Sequence, residues 1–483
     1  MRSFKNGVIV TIASALVLVS IPAAAGVGSW STPGDLSLAG RDAGASQVVV
    51  DSTSLATAVW TRNDGSHYVI QSSTSQNGGA WSTPVNVSLA GQSASSPQVT
   101  VSPSGLVSAV WYRFDGSQTI IQASTSQNGG AWSSPVNLSL AGRAAYDPQV
   151  TVSPTGLATA VWTRNDGSHY VIQSSTSQNG GAWSTPDNVS LAGGASYYPQ
   201  VSVDSTGLAT AVWARNDGSH FVIQSSTSQN GGAWSTPVNL SLTGGDADSP
   251  QVTVSSTGLV TVVWARNDGS NNIIQSSTSQ NGGAWSTPIN LSLAGGNAYA
   301  PEVRVSTAGL ATAVWTRNDG SNIVIQSSTS QSGGAWSIPV NVSLAGQSAS
   351  SPQVTVSSTG LATAAWQWYD GSYNIIQSST SQNGGAWSTP VNLSLTGGDA
   401  DSPQVTVSST GLVTVVWARN DGSNSIIQSS AFRESTPSAA PAASTTPTLA
   451  ATGANVEWLM FAGVIALIAG AGFLTVSRRK RTA

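Results

Sequence analysis

The chain has 483 residues, of which 8% are charged, and its formal net charge is −4. A chain with so few cations lacks the basic surface that phosphate binding needs, so we expect no nucleic-acid partner. The absence of cysteine excludes disulfides, thiol nucleophiles and thiolate metal sites, and we expect neither a metal nor a cofactor.

Residues 1–25 have the pattern of a signal peptide. Arg2 and Lys5 precede an apolar stretch from Val8 to Ile21, and alanines at 23–25 offer a cleavage site. The apolar stretch is short for a membrane span of about 20 residues, so an N-terminal anchor is the weaker interpretation. We therefore expect an exported protein, and the lack of disulfides favours a bacterial one.

Between its two ends the sequence repeats with a period of 51 residues. Tryptophan recurs at this spacing in two series, one beginning at Trp30 and the other at Trp60, each with eight members. In one repeat, segments 149–153, 157–164, 170–176 and 182–191 read as four short strands separated by turns. The turn at 165–167 is Asn-Asp-Gly, a strong hairpin signal because glycine tolerates positive φ. Four antiparallel strands per repeat is the pattern of a propeller blade.

We predict an all-β fold, an eight-bladed propeller over residues 26–433. The array begins with a lone fourth strand, residues 30–38, and ends with a third strand, residues 426–430. Pairing these two strands would close the ring and remove an exposed sheet edge. An open solenoid is the alternative, but it would need capping repeats and none is visible in the sequence.

The turn between the third and fourth strands resembles the Asp-box, or BNR, repeat of sialidase-type propellers. The pattern Ser/Thr-x-Asp-x-Gly-x-x-Trp is matched at Thr74, Gly78 and Trp81, and in seven copies in all, with Gln76 and its equivalents at the Asp position. The resemblance implies a folding role for these residues, on the face away from an active site.

The residues that sialidases use in catalysis have no clear counterpart. The resemblance would imply an arginine triad, a Tyr/Glu nucleophile pair and an Asp acid, whereas the propeller holds a single glutamate, Glu302. The arginine two residues after the tryptophan of the Trp60 series and the Asp of the hairpin turn recur around the ring, which suggests a local Arg–Asp pair in each blade. A catalytic centre would break this symmetry. We therefore predict no enzymatic activity, with a sialidase-like exo-glycosidase as the alternative.

Positions at which the blades differ predict a ligand-binding surface. One position in the loop from the fourth to the first strand carries large or acidic residues in five blades: Tyr146, Tyr197, Tyr299, Asp248 and Asp401. The position just after the hairpin turn also varies, and in four blades it holds His67, His169, His220 and Tyr373.

These loops and turns share one face of a propeller, so we expect the variable side chains around one mouth of the channel. The histidines lie in different blades, too far apart to share a metal ion. Aromatic and amide groups on uncharged loops suit an extracellular carbohydrate or protein ligand, which predicts binding or adhesion. A structural surface protein without a specific ligand is the other alternative.

The C-terminus combines a spacer, a short motif and an apolar segment. Residues 434–448 are rich in Pro, Ala, Ser and Thr, and such a composition is typical of an extended spacer. Residues 456–476 are apolar and long enough to cross a bilayer as a helix. The basic residues of segment 477–483 would then remain in the cytoplasm.

This arrangement resembles the cell-wall sorting signal of Gram-positive surface proteins. The motif is Leu449-Ala450-Ala451-Thr452-Gly453, which corresponds to LPxTG with Ala450 in place of proline. The resemblance implies that sortase cuts between Thr452 and Gly453 and joins the threonine to peptidoglycan. We therefore expect a secreted protein at the cell wall, held by its apolar segment before sorting. Simple retention in the membrane is the alternative.

Overall fold

A computed structural model describes residues 28–433 of the chain. This part contains 32 strands, numbered β1 to β32 along the chain, in eight four-stranded antiparallel sheets. The sheets form the blades of a closed propeller, which confirms the predicted fold class. The predicted signal peptide, spacer, sorting motif, apolar segment and basic tail lie outside the described residues.

The first strands of the blades line the central channel, because each lies beside the first strands of both neighbouring blades. Each carries a β-bulge near its start, where one extra residue shifts the register with the next strand. From blade 1 to blade 8, in chain order, they are β2 (Ala43–Val50), β6 (Ala94–Val101), β10 (Ala145–Val152), β14 (Ser196–Val203), β18 (Ala247–Val254), β22 (Ala298–Val305), β26 (Ala349–Val356) and β30 (Ala400–Val407).

The second strands hold the core of each blade junction. The tryptophans of the Trp60 series lie on these strands and are fully buried, and we call them the inner tryptophans. Trp162 of blade 3 packs on Val110 and Ile121 of blade 2. Burial of so large a side chain between two sheets accounts for its recurrence in every blade. The second strands are β3 (Leu55–Asn63), β7 (Leu106–Phe114), β11 (Leu157–Asn165), β15 (Leu208–Asn216), β19 (Leu259–Asn267), β23 (Leu310–Asn318), β27 (Leu361–Tyr369) and β31 (Leu412–Asn420).

The third strands pair with the second along their whole length, from Leu157↔Gln178 to Asn165↔Tyr170 in blade 3. The hairpin turn between them is the predicted one. The Asp166 carboxylate accepts hydrogen bonds from the backbone N–H groups of residues 168 and 169, both at 2.8 Å. The third strands are β4 (Tyr68–Gln76), β8 (Thr119–Gln127), β12 (Tyr170–Gln178), β16 (Phe221–Gln229), β20 (Asn272–Gln280), β24 (Ile323–Gln331), β28 (Asn374–Gln382) and β32 (Ser425–Arg433).

The fourth strands are shorter than predicted. Segment 182–191 pairs only at 187–188, with an isolated bridge at Trp183. The reason is local: Pro186 lacks an N–H, and the Ser184 hydroxyl accepts the bond from the Thr176 N–H at 3.1 Å. The fourth strands are β1 (Gly34–Asp35), β5 (Val85–Asn86), β9 (Val136–Asn137), β13 (Asp187–Asn188), β17 (Val238–Asn239), β21 (Ile289–Asn290), β25 (Val340–Asn341) and β29 (Val391–Asn392).

Blade 8 closes the ring as expected from the sequence. It consists of β30, β31 and β32 with β1 as its outer strand, and Gly34 and Asp35 pair with Ser429 and Gln428. The first strand β30 also lies beside β2. The open solenoid is therefore excluded. Blades 1 to 7 follow chain order, from β2–β5 to β26–β29.

Two repeated polar residues tie loops to the framework. The Gln178 side chain, at the turn between the third and fourth strands, donates to the Thr155 carbonyl at 2.7 Å, so its role is structural. The Arg164 guanidinium donates to the Leu140 carbonyl at 3.2 Å. The expected local Arg–Asp pair is therefore wrong for this arginine, because the loop carbonyl lies within its reach and takes the bond.

Candidate functional site

The fourth-to-first-strand loops and the hairpin turns meet at one end of the propeller, which we call the loop face. In blade 3 the Asn165 N–H at the hairpin turn donates to the Ala144 carbonyl of the loop at 2.9 Å. The predicted ligand-binding residues in both sets therefore lie at this end.

The variable position of the loop lies directly before the β-bulge. Tyr146 and Tyr197 occupy it in blades 3 and 4, and the residue after each has a positive φ. In blade 4 that residue is Tyr198, with a φ of 56°, a conformation rare for a bulky side chain. In this conformation Tyr198 is 56% exposed on the loop face.

Blades 2 to 4 carry a continuous set of aromatic rings on the loop face. The ring centroids of Tyr112 and Tyr146 are 6.3 Å apart, and those of Tyr146 and Tyr170 are 6.4 Å apart. Tyr170 is followed at 5.3 Å by Tyr197, which also lies 6.2 Å from Tyr198 and 6.0 Å from Phe221. We call these six residues the aromatic row.

The aromatic row contains two of the predicted tyrosines, Tyr146 and Tyr197, but the other four members were missed. The signal was present in the sequence: position 170 is aromatic in blades 1, 3 and 4 and holds Thr, Asn, Ile or Ser elsewhere. What the sequence alone did not provide is the adjacency between blades that brings Tyr112 to Tyr146 and Tyr170 to Tyr197.

The remaining predicted residues are distributed around the loop face. Tyr299 lies in blade 6 and is 43% exposed, and Tyr373 lies in blade 7. Asp401 is in blade 8, and His67 is in the hairpin turn of blade 1. They occupy the positions expected of them without joining the aromatic row.

A pocket of about 520 Å³ lies between blades 3 and 4, and its lining residues are not members of the aromatic row. His169, next to Tyr170 in the chain, forms one side, and Arg215 and Asn216 form another. The buried Nε of Arg215 has no hydrogen-bond partner among residues 28–433. The atom is shielded from the pocket, and the same unpartnered Nε recurs in blades 2, 3, 5 and 8, so it is a feature of the repeat rather than a contact for a ligand.

Glycine keeps this pocket open. Gly194 approaches the Asn216 carbonyl so closely that no Cβ would fit. The equivalent residue in blade 3 is Arg143, whose guanidinium lies against Gly167 of the hairpin turn. The hairpin turn of blade 3 is therefore covered by Arg143, whereas the turn of blade 4, where glycine replaces the arginine, is accessible.

Two carboxyl groups of the loop face have raised pKa values. Loss of solvent raises the pKa of Asp147, in the bulge beside Tyr146. Loss of solvent also raises the pKa of Asp248 in blade 5, where the Ser249 side chain opposes the shift and Asp246 adds to it. Both groups hold a proton to a higher pH than a free carboxyl group does.

Glu302 belongs to the first strand β22 rather than to the loop face. Its carboxylate accepts a hydrogen bond from Gln353 at 3.2 Å and lies 3.6 Å from the guanidinium of Arg304. Burial raises the pKa of Glu302, and Arg304 opposes this shift. The position is a glutamine in the seven other blades.

The histidines are held apart by the ring. His169 and His220 follow the hairpin turns of neighbouring blades, and His220 Nδ1 lies 2.8 Å from the Ser219 carbonyl. Within the described part of the chain, no group of three or more His, Asp or Glu could hold a metal ion. Residues 28–433 contain no helix able to cross a bilayer.

Comparison with known proteins gives a likeness of fold. No family model matches the chain. No curated protein matches it either. A protein of unknown function from Dyadobacter fermentans has a similar structure, with 9% identity over 85% of this chain and 100% of that chain and a TM-score of 0.45.

Two further solved structures that resemble the chain are enzymes that act on carbohydrates. A PL25 polysaccharide lyase, an ulvan lyase, is 11% identical over 75% of this chain and 97% of its own, with a TM-score of 0.49. An α-L-arabinanase from Penicillium chrysogenum is 14% identical over 56% and 87%, with a TM-score of 0.38. At these identities the likeness shows the β-propeller fold alone.

The expectation that the chain is not an enzyme is wrong, because it was concluded from the architecture of the propeller. The propellers that resemble it include a polysaccharide lyase and an arabinanase. The grounds for that expectation were the symmetry of the repeated arginines and aspartates and the single glutamate of the propeller. The loop face is not symmetric, because the aromatic row, Asp147 and Asp248 occur in only some blades, so the ground of symmetry fails.

Proposed function

We propose that this chain binds a carbohydrate across the loop face of blades 2 to 4. The observation that carries the proposal is the aromatic row, whose neighbouring centroids are 5.3–6.4 Å apart. Aromatic faces pack against the C–H faces of sugar rings, and tyrosine hydroxyls exchange hydrogen bonds with sugar hydroxyls. A row of several rings suits a chain of sugars better than a single one.

The pocket between blades 3 and 4 supplies polar groups of the kind that orient a ligand. The exposed His169 offers an imidazole, and Asn216 and Asn239 offer amide groups. A largely apolar surface with a few polar groups at one side is the usual composition of a small-molecule site. These features support a bound sugar whose hydroxyl groups are directed into this pocket.

The binding test uses the full-length chain, purified in a zwitterionic detergent without a sugar headgroup. Immobilised neutral and acidic polysaccharides and a glycan array are probed with the wild type and with the Tyr146→Ala/Tyr197→Ala double variant. We expect saturable binding that weakens at least tenfold in the variant, about 1.4 kcal/mol. Release of reducing ends and of unsaturated uronic acid is followed on the same samples, so that turnover is seen if it occurs.

Binding to proteins but to no glycan would contradict the proposal, as would glycan binding that the double variant retains. An unchanged thermal midpoint in the variant shows that the loss of binding is not a loss of fold. Half-buried tyrosines at the rim leave the inner tryptophans untouched, so we expect the fold to persist.

We also propose that the propeller is displayed on the cell surface, with sortase and peptidoglycan as partners. The support is the order of spacer, Leu449–Gly453 motif, apolar segment and basic tail in the sequence. Cell walls digested with a muralytic enzyme should release the chain, and the Thr452→Ala variant should instead remain with membranes. Equal distribution of both chains between the two fractions would contradict wall anchoring.

A further inference from the structure

A second kind of surface recurs at the blade junctions, at the end of the propeller opposite the loop face. Grooves between blades 8 and 1, 1 and 2, and 2 and 3 enclose about 370, 560 and 500 Å³. The three are built from equivalent residues, offset by the 51-residue repeat. The repeat therefore forms equivalent cavities at successive blade junctions.

One wall of each groove comes from the outer strand of a blade, and the other from the turn of the next. Between blades 1 and 2 the first wall includes Ser82, Thr83 and Asn86. The second wall is the Gly-Gly-Ala-Trp turn at 129–132, in which Ala131 is exposed and Trp132 half-buried. The cavity thus combines hydroxyl and amide groups with an indole edge.

In the groove between blades 1 and 2 the tryptophan is held across the junction, whereas in the groove between blades 2 and 3 Ala123 stands in place of Ser72 and Trp183 lacks this bond. Trp132 Nε1 donates to Ser72 Oγ of the preceding blade at 3.0 Å. The same bond joins Trp81 to Ser429 at 2.8 Å and Trp234 to Ser174 at 2.7 Å. A fixed ring is a preorganised contact surface, which lowers the entropic cost of binding.

The chemistry of the lining selects the class of ligand. The side chains around the grooves between blades 1 and 2 and between blades 2 and 3 are uncharged. The groove between blades 8 and 1 contains Asp35, whose carboxylate already accepts a bond from Gln428 at 2.8 Å. Such a lining suits a neutral ligand with many hydroxyl groups and an apolar face, which describes a neutral sugar.

We infer that the inter-blade grooves are a second, repeated set of binding sites, each for one neutral sugar residue. The Gly-Gly-Ala-Trp turn occurs seven times, so the chain presents seven such grooves. Asp187 and Ile338 replace Val85 and Thr83 in the grooves between blades 3 and 4 and between blades 6 and 7, and these two sites should differ in affinity. Weak sites repeated around one rigid ring add through avidity on a surface that displays many sugars.

This inference does not depend on the aromatic row, and its test is separate. The full-length chain in the same detergent is dialysed against labelled glucose, galactose, mannose, fucose or N-acetylglucosamine. Binding sites are then counted at saturation. A triple variant, Ala80→Arg, Ala131→Arg and Ala182→Arg, places a long side chain in three grooves. The matched control, Ser270→Arg, Ser321→Arg and Ser423→Arg, adds the same charge at exposed hairpin turns of blades 5, 6 and 8.

We expect about seven sites for at least one sugar, three fewer in the triple variant and no change in the control, given the seven turns in the sequence. A second blocking set on the opposite wall, Thr32→Arg, Thr83→Arg and Ser134→Arg, should remove the same three sites and guards against misfolding of the first. No saturable binding of any of the five sugars would overturn the inference. A count that neither blocking set lowers would also overturn it.

Discussion

The two halves of the ring share one backbone and differ in what they present on the loop face. In blades 3 and 4 the position before the bulge and the first position of the third strand hold Tyr146, Tyr170, Tyr197 and Phe221. In blades 5 to 8 the same two positions hold Asp248, Asn272, Tyr299, Ile323, Ser350, Asn374, Asp401 and Ser425. The halves therefore differ by a few side chains on an unchanged framework.

This comparison separates two kinds of information in a repeat protein. Residues common to all blades, such as the inner tryptophans, are explained by packing between sheets. Residues confined to neighbouring blades are not required to build a blade, since the other blades fold without them, although Tyr112 and Phe221 also pack against core side chains. The aromatic row is the largest such set on the loop face, which is why we assign function to blades 2 to 4.

The largest expected effect tests whether the framework really is equivalent in both halves. Trp162→Ala and Trp315→Ala each remove a fully buried indole, in blades 3 and 6. Each should cost about 3–5 kcal/mol of unfolding free energy, measured by denaturant titration. A loss of unfolding free energy in only one of the two variants would show that the framework is not equivalent in the two halves.

A smaller effect concerns a hydrogen bond found in every blade. The buried Ser190 hydroxyl accepts from the Ile172 N–H at 2.9 Å, and Ser343 does the same for Ile325 at 2.9 Å. Replacing either serine with alanine leaves a buried N–H unpaired and should cost about 1–2 kcal/mol. The exposed Ser168→Ala serves as control and should leave the denaturant midpoint unchanged.

Glu302 stands where the other blades have glutamine, on a strand that lines the channel. We assign this difference between blades to the channel rather than to ligand binding. Its pKa in the folded chain is raised from the ordinary 4.5, chiefly by burial. The ionised carboxylate therefore destabilises the fold above that ordinary value. The penalty is fully developed above the folded pKa, is relieved as the pH falls through it, and vanishes below the ordinary value.

Glu302→Gln, which restores the residue of the other blades, should therefore stabilise the fold at pH 8 by roughly 1 kcal/mol and add little at pH 4. Thermal midpoints at the two pH values provide the measurement. Gln251→Glu is the matched reverse change in blade 5, and it should destabilise at pH 8 because Thr253 stands where Arg304 does. An equal effect of Glu302→Gln at both pH values would show that titration is not its cause.

The sequence predicted the framework well because the framework is what the repeat encodes. The two tryptophan series and the Asn-Asp-Gly turns led to the blade count, the closing strand and the hairpins. The fourth strand was predicted too long, since alternation continues through Pro186 while hydrogen bonding does not. Tyr146 and Tyr197 were identified by variation at one position.

The rest of the site could not be predicted from the sequence, because it depends on contacts between blades. Tyr112 lies in a second strand, and it meets Tyr146 only because blade 2 packs against blade 3. The pocket beside Arg215 depends on the close approach of Gly194 to a carbonyl, which a list of residues does not reveal. The inter-blade grooves were not predicted from the sequence, because they are lined by residues common to the repeats and all such residues were attributed to folding.

The central claim is that binding belongs to blades 2 to 4, and one pair of variants tests it most directly. Tyr197→Ala and Tyr299→Ala make the same substitution at the same position before the bulge, in blades 4 and 6. Affinity for the polysaccharide bound by the wild type is measured for both by biolayer interferometry. We predict that Tyr197→Ala weakens binding at least tenfold and Tyr299→Ala less than about twofold, differences of roughly 1.4 and 0.4 kcal/mol. Equal losses in the two variants, or a greater loss at Tyr299, would contradict the account.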